Sequence, residues 1–194
     1  MTDSMKDDLQ TYLRLGREAI LWKMDGLSEY DIRRPMTSTG TNLLGLVKHL
    51  TAVELGYFGW TFDRPFDEDI PWAGVDAELN SDMWATPDES SEYILGLYER
   101  ITVHSDATIA ELPLDAPGLV PHWPEDRAHV TLHRIIVHVI ADMDRHAGHA
   151  DIVRESIDGS VGLSVRNHNL PSTEAAYWAA YRDRLDEAAR RFET

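Results

Sequence analysis

The sequence predicts an all-α fold, an antiparallel four-helix bundle with an additional C-terminal helix and two long loops. Apolar residues recur at helical spacings of three, four and seven over five segments, whereas no segment shows the strict alternation of a half-buried β-strand. The chain has 194 residues, of which 43% are hydrophobic, so it is long enough to bury a core. We therefore expect a single helical domain over residues 1–194.

The first two predicted helices run from Met5 to Met24 and from Thr41 to Phe58. Asp25-Gly26 ends the first helix, because glycine readily takes the left-handed conformation that follows a helix. Residues 27–31 are predicted to form a short helical turn before the loop that leads to the second helix. The second helix has a broad apolar stripe, and His49 and Glu54 are the notable polar residues beside it.

The first long loop, residues 60–87, is both acidic and aromatic. Its aromatic residues are Trp60, Phe62, Phe66, Trp72 and Trp84. Loops of this length are uncommon in compact domains and are usually functional or mobile. We expect this loop to lie across one end of the helices and its aromatic side chains to wall a substrate pocket.

The later helices are predicted at residues 87–112, at residues 127–157 and, as a last helix, up to Phe192. Thr86 is the expected cap of the third helix, with Pro87 at its first position. A proline-rich loop, residues 113–126, leads to the fourth helix, which ends at Asp158-Gly159. Ser172 or Thr173 is the expected cap of the last helix.

Composition excludes several classes of protein and site. The formal net charge of −16 disfavours nucleic-acid binding, because such a surface repels phosphate. No stretch approaches the roughly 20 apolar residues of a membrane span, and we expect no signal peptide and a cytoplasmic protein. The absence of cysteine excludes disulfides, thiolate zinc sites and a cysteine nucleophile. A thiol used by this protein must therefore arrive as a substrate.

Histidines are concentrated in the predicted fourth helix. Five of the nine histidines lie between residues 129 and 149. At about 100° per residue, His138, Asp142, His146 and His149 span an arc of only about 80°. Ligand-type side chains therefore follow one another beside the apolar stripe of this helix.

Three interpretations of these side chains are open, because burying them unpaired costs several kcal/mol. They hydrogen-bond to one another, they point to solvent, or they bind a metal ion. Asp142 and His146 are one helical turn apart, about 6 Å along the axis, so both can converge on one ion. A third ligand must come from another helix, where His49 is a candidate. Two histidines and one carboxylate suit a catalytic divalent site with open positions better than a closed structural site.

Two motifs resemble the DinB-like superfamily of helical-bundle proteins. Residues 40–50, GTNLLGLVKHL, followed by Val53-Glu54, resemble its second helix. Residues 142–151, DMDRHAGHAD, followed by Arg154-Glu155, resemble its fourth-helix motif. Residues 14–27 also fit the first helix of the family, so the resemblance covers nearly the whole chain.

The resemblance implies a four-helix bundle with a divalent metal at one end, held by His49, Asp142 and His146. Asp142 stands where other members carry His or Glu, and Asp144 points about 200° away around the helix. Whether His138 or His149 joins the metal shell is left open. Relatives with assigned activity are mycothiol-dependent maleylpyruvate isomerase and bacillithiol or mycothiol S-transferases, in which the metal, usually Zn²⁺, activates a low-molecular-weight thiol.

Three functions compete at this point. The first is a metal-dependent enzyme, a thiol S-transferase or isomerase that acts on a small-molecule substrate with Zn²⁺ or Ni²⁺ at the site. The second is a non-catalytic metal-binding or stress-response bundle protein, whose ion would face no substrate pocket. The third is a plain bundle in which the histidines hydrogen-bond to one another.

The first and last helices also predict a homodimer. They carry apolar and aromatic residues that exceed the needs of one core, namely Leu9, Tyr12, Tyr177, Trp178 and Tyr181. A symmetric dimer is the commonest way to cover such a surface.

Overall fold

The computed structural model describes residues 2–74, 76–164 and 166–193, and its helical content confirms the predicted all-α class. The helices are α1 (Thr2–Trp22), α2 (Glu29–Arg33), α3 (Leu43–Glu54), α4 (Ser91–Glu111), α5 (Glu125–Ala128), α6 (Leu132–Asp158) and α7 (Ala175–Arg190). A π-helical turn (Leu55–Gly59) and a 3₁₀ turn (Trp60–Phe62) extend α3. Two short antiparallel strands, β1 (Pro117–Leu119) and β2 (His129–Thr131), were not predicted, because three residues are too few to show an alternating pattern.

Helices α1 and α6 pack against each other and run in the same direction. Gly16 of α1 lies beside Met143 of α6, and about two turns further along both helices Lys23 forms an ion pair with Asp151 at 2.6 Å. A Cβ atom on Gly16 would lie 2.6 Å from Cγ of Met143, so the missing side chain allows the close approach of the two helices.

Helices α3 and α6 run in opposite directions across the bundle. The ring of His49 faces that of His146 at a centroid distance of 4.8 Å. Two turns further along α3, the ring of Tyr57 faces that of His138, two turns earlier on α6, at 4.7 Å. The predicted antiparallel arrangement therefore holds between the α1–α6 pair and the α3–α4 pair.

Helices α3 and α4 are a second parallel pair. Lys48 forms an ion pair with Glu89, just before α4, and Glu54 contacts Tyr98 further along both helices. A parallel neighbour requires a long crossover connection. The connection between α3 and α4, here called the crossover loop, accordingly returns from the end of α3 to its beginning, and its described residues are 63–74 and 76–90. The crossover loop runs back along α3. The prediction that the first long loop lies across one end of the helices is therefore wrong.

Two predicted helix starts are wrong by a few residues, because other side chains cap the helices. The second helix opens near Thr41 as expected, with Asn42 as the N-cap of α3, whereas the N-cap of α4 is Ser90 and not Thr86. The N-cap of α6 is Thr131, so the helix begins after β2 and not at residue 127. Each of the three caps accepts a hydrogen bond from the backbone N–H three residues later, which satisfies an otherwise unpaired donor.

The core of the bundle lies between α3, α4 and the α1–α6 pair. Its buried residues include Ile20, Leu44, Val47, Leu50, Ile94, Leu97, Met143 and Val153. Val47 and Leu50 are fully buried, and they fix the rotation of α3 about its axis. That rotation places His49, on another face of the helix, towards α6.

The chain divides into two compact units, residues 1–161 and residues 162–194. The first unit contains the bundle, and the second contains α7. Glu174 occupies the N-cap position of α7 without a side-chain hydrogen bond, whereas Ser172 accepts one from the Glu174 N–H, so the predicted caps at 172 and 173 are wrong. That residues 1–194 act as one domain stays a prediction. Across the described residues, no helix combines the length and apolarity that crossing a membrane requires.

A candidate metal centre in the bundle

His49, Asp142 and His146, here called the metal cluster, come together between α3 and α6. One ligand atom from each lies within 4.8 Å of the others. Nε2 of His146 is 3.8 Å from Oδ1 of Asp142, which is too long for a hydrogen bond. All three residues are half-buried. The structure thus gathers the three residues that the motifs singled out, in an arrangement compatible with one divalent ion.

Asp82 of the crossover loop contacts the metal cluster through His49. Nδ1 of His49 lies 2.7 Å from Oδ2 of Asp82. A carboxylate accepts, so the N–H of His49 is on Nδ1, and the lone pair of Nε2 stays available. This hydrogen bond lowers the pKa of the Asp82 carboxyl and keeps it ionised near neutral pH. A carboxylate behind a histidine is the usual support of a metal-binding imidazole.

His146 shows that the metal cluster is not a closed hydrogen-bonded network. Nδ1 of His146 is buried and has no hydrogen-bond partner among the described residues. Burial and the neighbouring His49 lower the pKa of His146, so its ring is neutral at pH 7. A neutral imidazole is the form that binds a metal ion. Two imidazoles and one carboxylate are a donor set that Zn²⁺ accepts, and these residues therefore fit a divalent ion.

The other candidates on α6 lie outside this group. The ring of His149 is exposed and packs against that of His146 at 5.4 Å. Asp144 is exposed on the α1 side of the helix, close to Gly16, as the helical geometry predicted. His138 faces a cavity next to the cluster, and burial lowers its pKa.

A cavity of about 810 Å³ opens beside the metal cluster. Its lining includes His49, Asp82, Asp142 and His138 together with apolar and aromatic residues of α3 and its extension. Among the residues that the structure describes, the lining includes no Lys or Arg. A space of this volume accommodates a small molecule, and its predominantly uncharged wall is typical of small-molecule sites.

Two aromatic side chains, Tyr57 and Trp60, are among the described residues that wall this cavity, and of these Trp60 was predicted and Tyr57 was not. Trp60 lines the cavity, and it belongs to the 3₁₀ turn that extends α3. Tyr57 lines it from the π-helical turn, and Trp123 Nε1 donates a hydrogen bond to the Tyr57 hydroxyl at 3.2 Å. Burial raises the pKa of Tyr57, so the phenol stays protonated at neutral pH. Trp72, by contrast, is buried with Lys48 over its ring.

Comparison with known proteins identifies the family of the chain. The model of the family described as mycothiol S-transferase matches residues 8–159, which include the metal cluster and all of the bundle except the first turns of α1. The chain belongs to the mycothiol S-transferase family. This confirms the relation to the DinB-like superfamily that the two motifs indicated. Neither the curated proteins nor the solved structures gave a match.

Asp82 contacts the metal cluster, although the sequence did not single it out. It lies 33 positions after His49, in a loop with many carboxylates. No helical spacing connects the two residues. Only the return path of the crossover loop brings them together, so periodicity could not have indicated this contact.

Proposed function

We propose that this protein is a divalent-metal-dependent thiol S-transferase that joins a mycothiol-type thiol to a small electrophile. In such a reaction the thiol loses its proton, a sulfur–carbon bond forms, and the bond from that carbon to the leaving group breaks. An isomerase that uses the same thiol as a cofactor is the nearest variant of this function. The observation that carries the proposal is the metal cluster, of which His49 and Asp142 line a cavity of about 810 Å³, in a chain of this family.

His49, Asp142 and His146 are the proposed ligands, and Zn²⁺ is the favoured ion, with Ni²⁺ as the second choice. A divalent ion at this site lowers the pKa of a bound thiol, so that thiolate is present at neutral pH. Asp142 brings one negative charge against two neutral imidazoles. The site therefore keeps positive charge that favours an anionic sulfur, which a cluster of several carboxylates would cancel.

The wall of the cavity supports a particular class of electrophile. Tyr57 and Trp60 offer aromatic surface, Ala52 and Val53 offer apolar surface, and the described residues of the lining include no Lys or Arg. An electrophile with its own negative charge would meet no cation among these residues apart from the ion. We therefore propose that the second substrate is uncharged and apolar, with an aromatic electrophile as the first choice.

Metal content and turnover test this function together. The parent chain should bind about one Zn²⁺, and His49→Ala should remove most of it, because the ion loses one of three protein ligands. His133→Ala is the matched control, since His133 is an exposed histidine of α6 that does not line the cavity. Unchanged zinc in His49→Ala would show that the ligand set is wrong.

Turnover should follow zinc occupancy. With mycothiol and chlorodinitrobenzene as the electrophile, the zinc-loaded parent and His133→Ala should form the S-conjugate, and His49→Ala should not. Tight zinc binding without S-conjugate formation from mycothiol or bacillithiol, across neutral and charged electrophiles, would contradict an S-transferase. That result would favour a non-catalytic metal-binding or stress-response protein.

Two wider properties belong to the same proposal. A reduced low-molecular-weight thiol as cosubstrate implies a reducing compartment, which supports the cytoplasm as the location. We also propose a homodimer, because Tyr12 on α1 is 63% exposed and α7 groups Tyr177, Trp178 and Tyr181. Light scattering that gives a mass near 22.0 kDa at micromolar concentration would contradict the dimer.

A further inference from the structure

The contact between His49 and Asp82 joins a helix to a loop that has no helical or sheet structure at that point. Asp82 lies in a turn of the crossover loop, and the side chains of both residues are about one-quarter exposed. A loop carboxylate holds a histidine in one orientation only if the loop itself is fixed. The residues around Asp82 show how it is fixed.

The segment that follows Asp82 is held by Asn42, the N-cap of α3, and by Lys48 of α3, and Gly45 of the same helix leaves room for it. Asn42 Nδ2 donates to the carbonyl of Met83 at 3.2 Å, and Lys48 Nζ donates to the carbonyl of Trp84 at 2.9 Å. A Cβ atom on Gly45 would lie 1.9 Å from the Met83 carbonyl oxygen. The chain therefore passes over α3 at a distance that only glycine allows at position 45.

Lys48 extends this attachment to the end of the loop. Its side chain is 1% exposed, and its ammonium forms an ion pair with Glu89 at 2.7 Å. The same Glu89 carboxylate accepts from the Thr86 N–H at 2.7 Å. The segment 83–89 is thus held at both ends on one face of α3, in the helix that also carries His49.

We infer that Asp82 is a positioning residue for His49, and that Gly45 is required because it lets the crossover loop carry Asp82 to that ring. Asp82 holds the proton of His49 on Nδ1 and directs Nε2 towards the metal cluster. The pre-set tautomer and orientation increase the affinity for the ion. This inference rests on the proposed function, in which a divalent ion binds His49, Asp142 and His146.

The first test needs no metal. In the parent chain without metal, at pH 8, long-range proton–nitrogen NMR correlations should show the neutral His49 ring protonated on Nδ1. In Asp82→Ala the proton should redistribute towards Nε2, because its acceptor at Nδ1 is gone. An unchanged tautomer in Asp82→Ala would overturn the positioning role, whether or not the protein binds a metal.

The second test measures zinc affinity by competition with a chelator. Asp82→Ala should weaken binding about 10- to 100-fold, the range for removing the support of a metal-binding histidine. Asp82→Asn should lose less, because the amide oxygen still accepts from Nδ1. The thermal midpoint of the metal-free protein should be similar in all three chains, so a general loss of folding would be recognised. Zinc affinity equal to that of the parent in Asp82→Ala would refute the inference.

The third test separates Gly45 from general packing. Gly45→Ala should weaken zinc binding, and combining it with Asp82→Ala should weaken it no further, because both changes remove the same contact. Gly148→Ala is the matched control, since a Cβ atom on this helical glycine would meet nothing within 4 Å. Additive losses in the double variant would show that Gly45 does not act through Asp82. If Gly45→Ala does not fold, the two Asp82 tests still decide the proposal.

The outcomes also distinguish this inference from the proposed function. Absence of zinc binding in the parent would contradict the proposed function, while the tautomer test would still report on Asp82. Cobalt substitution tests whether Asp82 is itself a ligand. The visible absorption of the Co²⁺-loaded protein should keep its band shape in Asp82→Asn, and a changed coordination number would overturn the positioning role.

Discussion

Two polar clusters lie between the helices of the bundle, and they differ in how their groups are paired. The first is the metal cluster. The second, here called the ion-pair cluster, consists of Arg17, Glu54, Tyr98 and Asp106. Both contain charged groups that are costly to bury. Their hydrogen bonding shows which of them is complete without a ligand.

The ion-pair cluster is closed. Arg17 binds the buried Glu54 through two hydrogen bonds, of 2.8 and 2.6 Å, and Asp106 through a third of 2.8 Å. Burial opposes the charged form of Arg17, but Glu54 and Asp106 outweigh it and hold its pKa above the ordinary value. Burial and the Glu54 carboxylate raise the pKa of Tyr98, so its hydroxyl stays protonated. This cluster joins α1, α3 and α4 and serves the fold.

The metal cluster is open. Its ligand-type atoms face one another without hydrogen bonds between them, and Nδ1 of His146 is buried without a partner among the described residues. Asp82 accepts a hydrogen bond from Nδ1 of His49 and leaves the lone pair of Nε2 available. Half-buried ligand groups that have a hydrogen-bonded support on one side and no hydrogen bonds to one another are suited to hold an ion. A fully paired set is suited to stabilise packing. The comparison predicts that substitution in the ion-pair cluster lowers stability, whereas substitution in the metal cluster lowers metal affinity.

The largest expected effect is on stability, in the ion-pair cluster. Arg17→Ala should lower the free energy of unfolding by about 3–5 kcal/mol, because it leaves the buried Glu54 charge without its partner. Zinc affinity, measured well below the unfolding transition, should stay near that of the parent. Denaturant unfolding followed by circular dichroism measures the loss.

Arg14→Ala is the control for this substitution. Arg14 pairs with Glu18 one turn along α1, but both side chains are more than half exposed. An exposed pair of this kind contributes at most about 0.5 kcal/mol. Equal losses in Arg14→Ala and Arg17→Ala would mean that the ion-pair cluster has no special structural role.

The next effect is on metal affinity, in the metal cluster. Asp142→Asn keeps the shape of the side chain but removes its charge, so zinc should bind about 10-fold more weakly or worse. Asp142→Glu should largely keep the metal, because it restores the carboxylate. Stability without metal should change little in either variant. Chelator competition and thermal unfolding measure the two quantities on the same samples.

Asp144→Asn is the matched control, since Asp144 is an exposed aspartate two residues away that lies on the α1 side of α6. Its zinc affinity should equal that of the parent. If Asp142→Asn binds zinc as tightly as the parent, Asp142 is no ligand, and His138, one turn earlier and facing the cavity, becomes the next candidate.

The difference between the clusters also explains what the sequence could predict. Asp142 and His146 are one turn apart on a single helix, so periodicity alone placed them on one face. His49 lies on a second strongly patterned helix and could be added as a candidate. In the ion-pair cluster, Glu54 was visible as a polar residue beside an apolar stripe. Its partner Arg17 was not predicted, because side-chain pairing between helices leaves no pattern in either one.

The crossover loop was the least predictable part of the chain. Thr86 followed by Pro87 has the pattern of a helix start, yet the Thr86 N–H bonds to the Glu89 carboxylate and Ser90 caps α4. The path of the loop depends on its attachments to Lys48 and on the space above Gly45. These are tertiary contacts, and the position of Asp82 follows from them and not from local sequence.

A smaller effect is expected at Gly148, on the exposed face of α6 near the metal cluster. Gly148→Ala should raise the free energy of unfolding by about 0.5–1 kcal/mol, because alanine loses less backbone entropy in a helix than glycine does. A Cβ atom there would meet no neighbour within 4 Å, in contrast to Gly45. Zinc affinity should stay unchanged. A lower free energy of unfolding in Gly148→Ala would contradict the view that position 148 lies in a regular α-helix with free space at its Cβ position.

The smallest effect concerns pH, at an ion pair between the buried Arg154 and the exposed Asp158, which belongs to neither cluster. Hydrogen bonds from Arg154 at the end of α6 lower the pKa of Asp158 from 3.8 to about 2. A lowered pKa in the folded state means that the ionised form is favoured by folding. Its contribution is therefore complete above about pH 4 and is lost as the pH falls from about 4 to 2.

Asp158→Asn should accordingly reduce stability slightly at pH 7 and make it less dependent on pH between about 4 and 2. Arg154 keeps its bonds to the carbonyls of Lys23 and Asp25 in this variant, so its guanidinium stays anchored and the effect stays small. Urea unfolding of the metal-free protein at several pH values measures the difference between the two chains. A difference that is constant over that range would show that Asp158 acts only through its shape and hydrogen bonds, and that its charge contributes nothing.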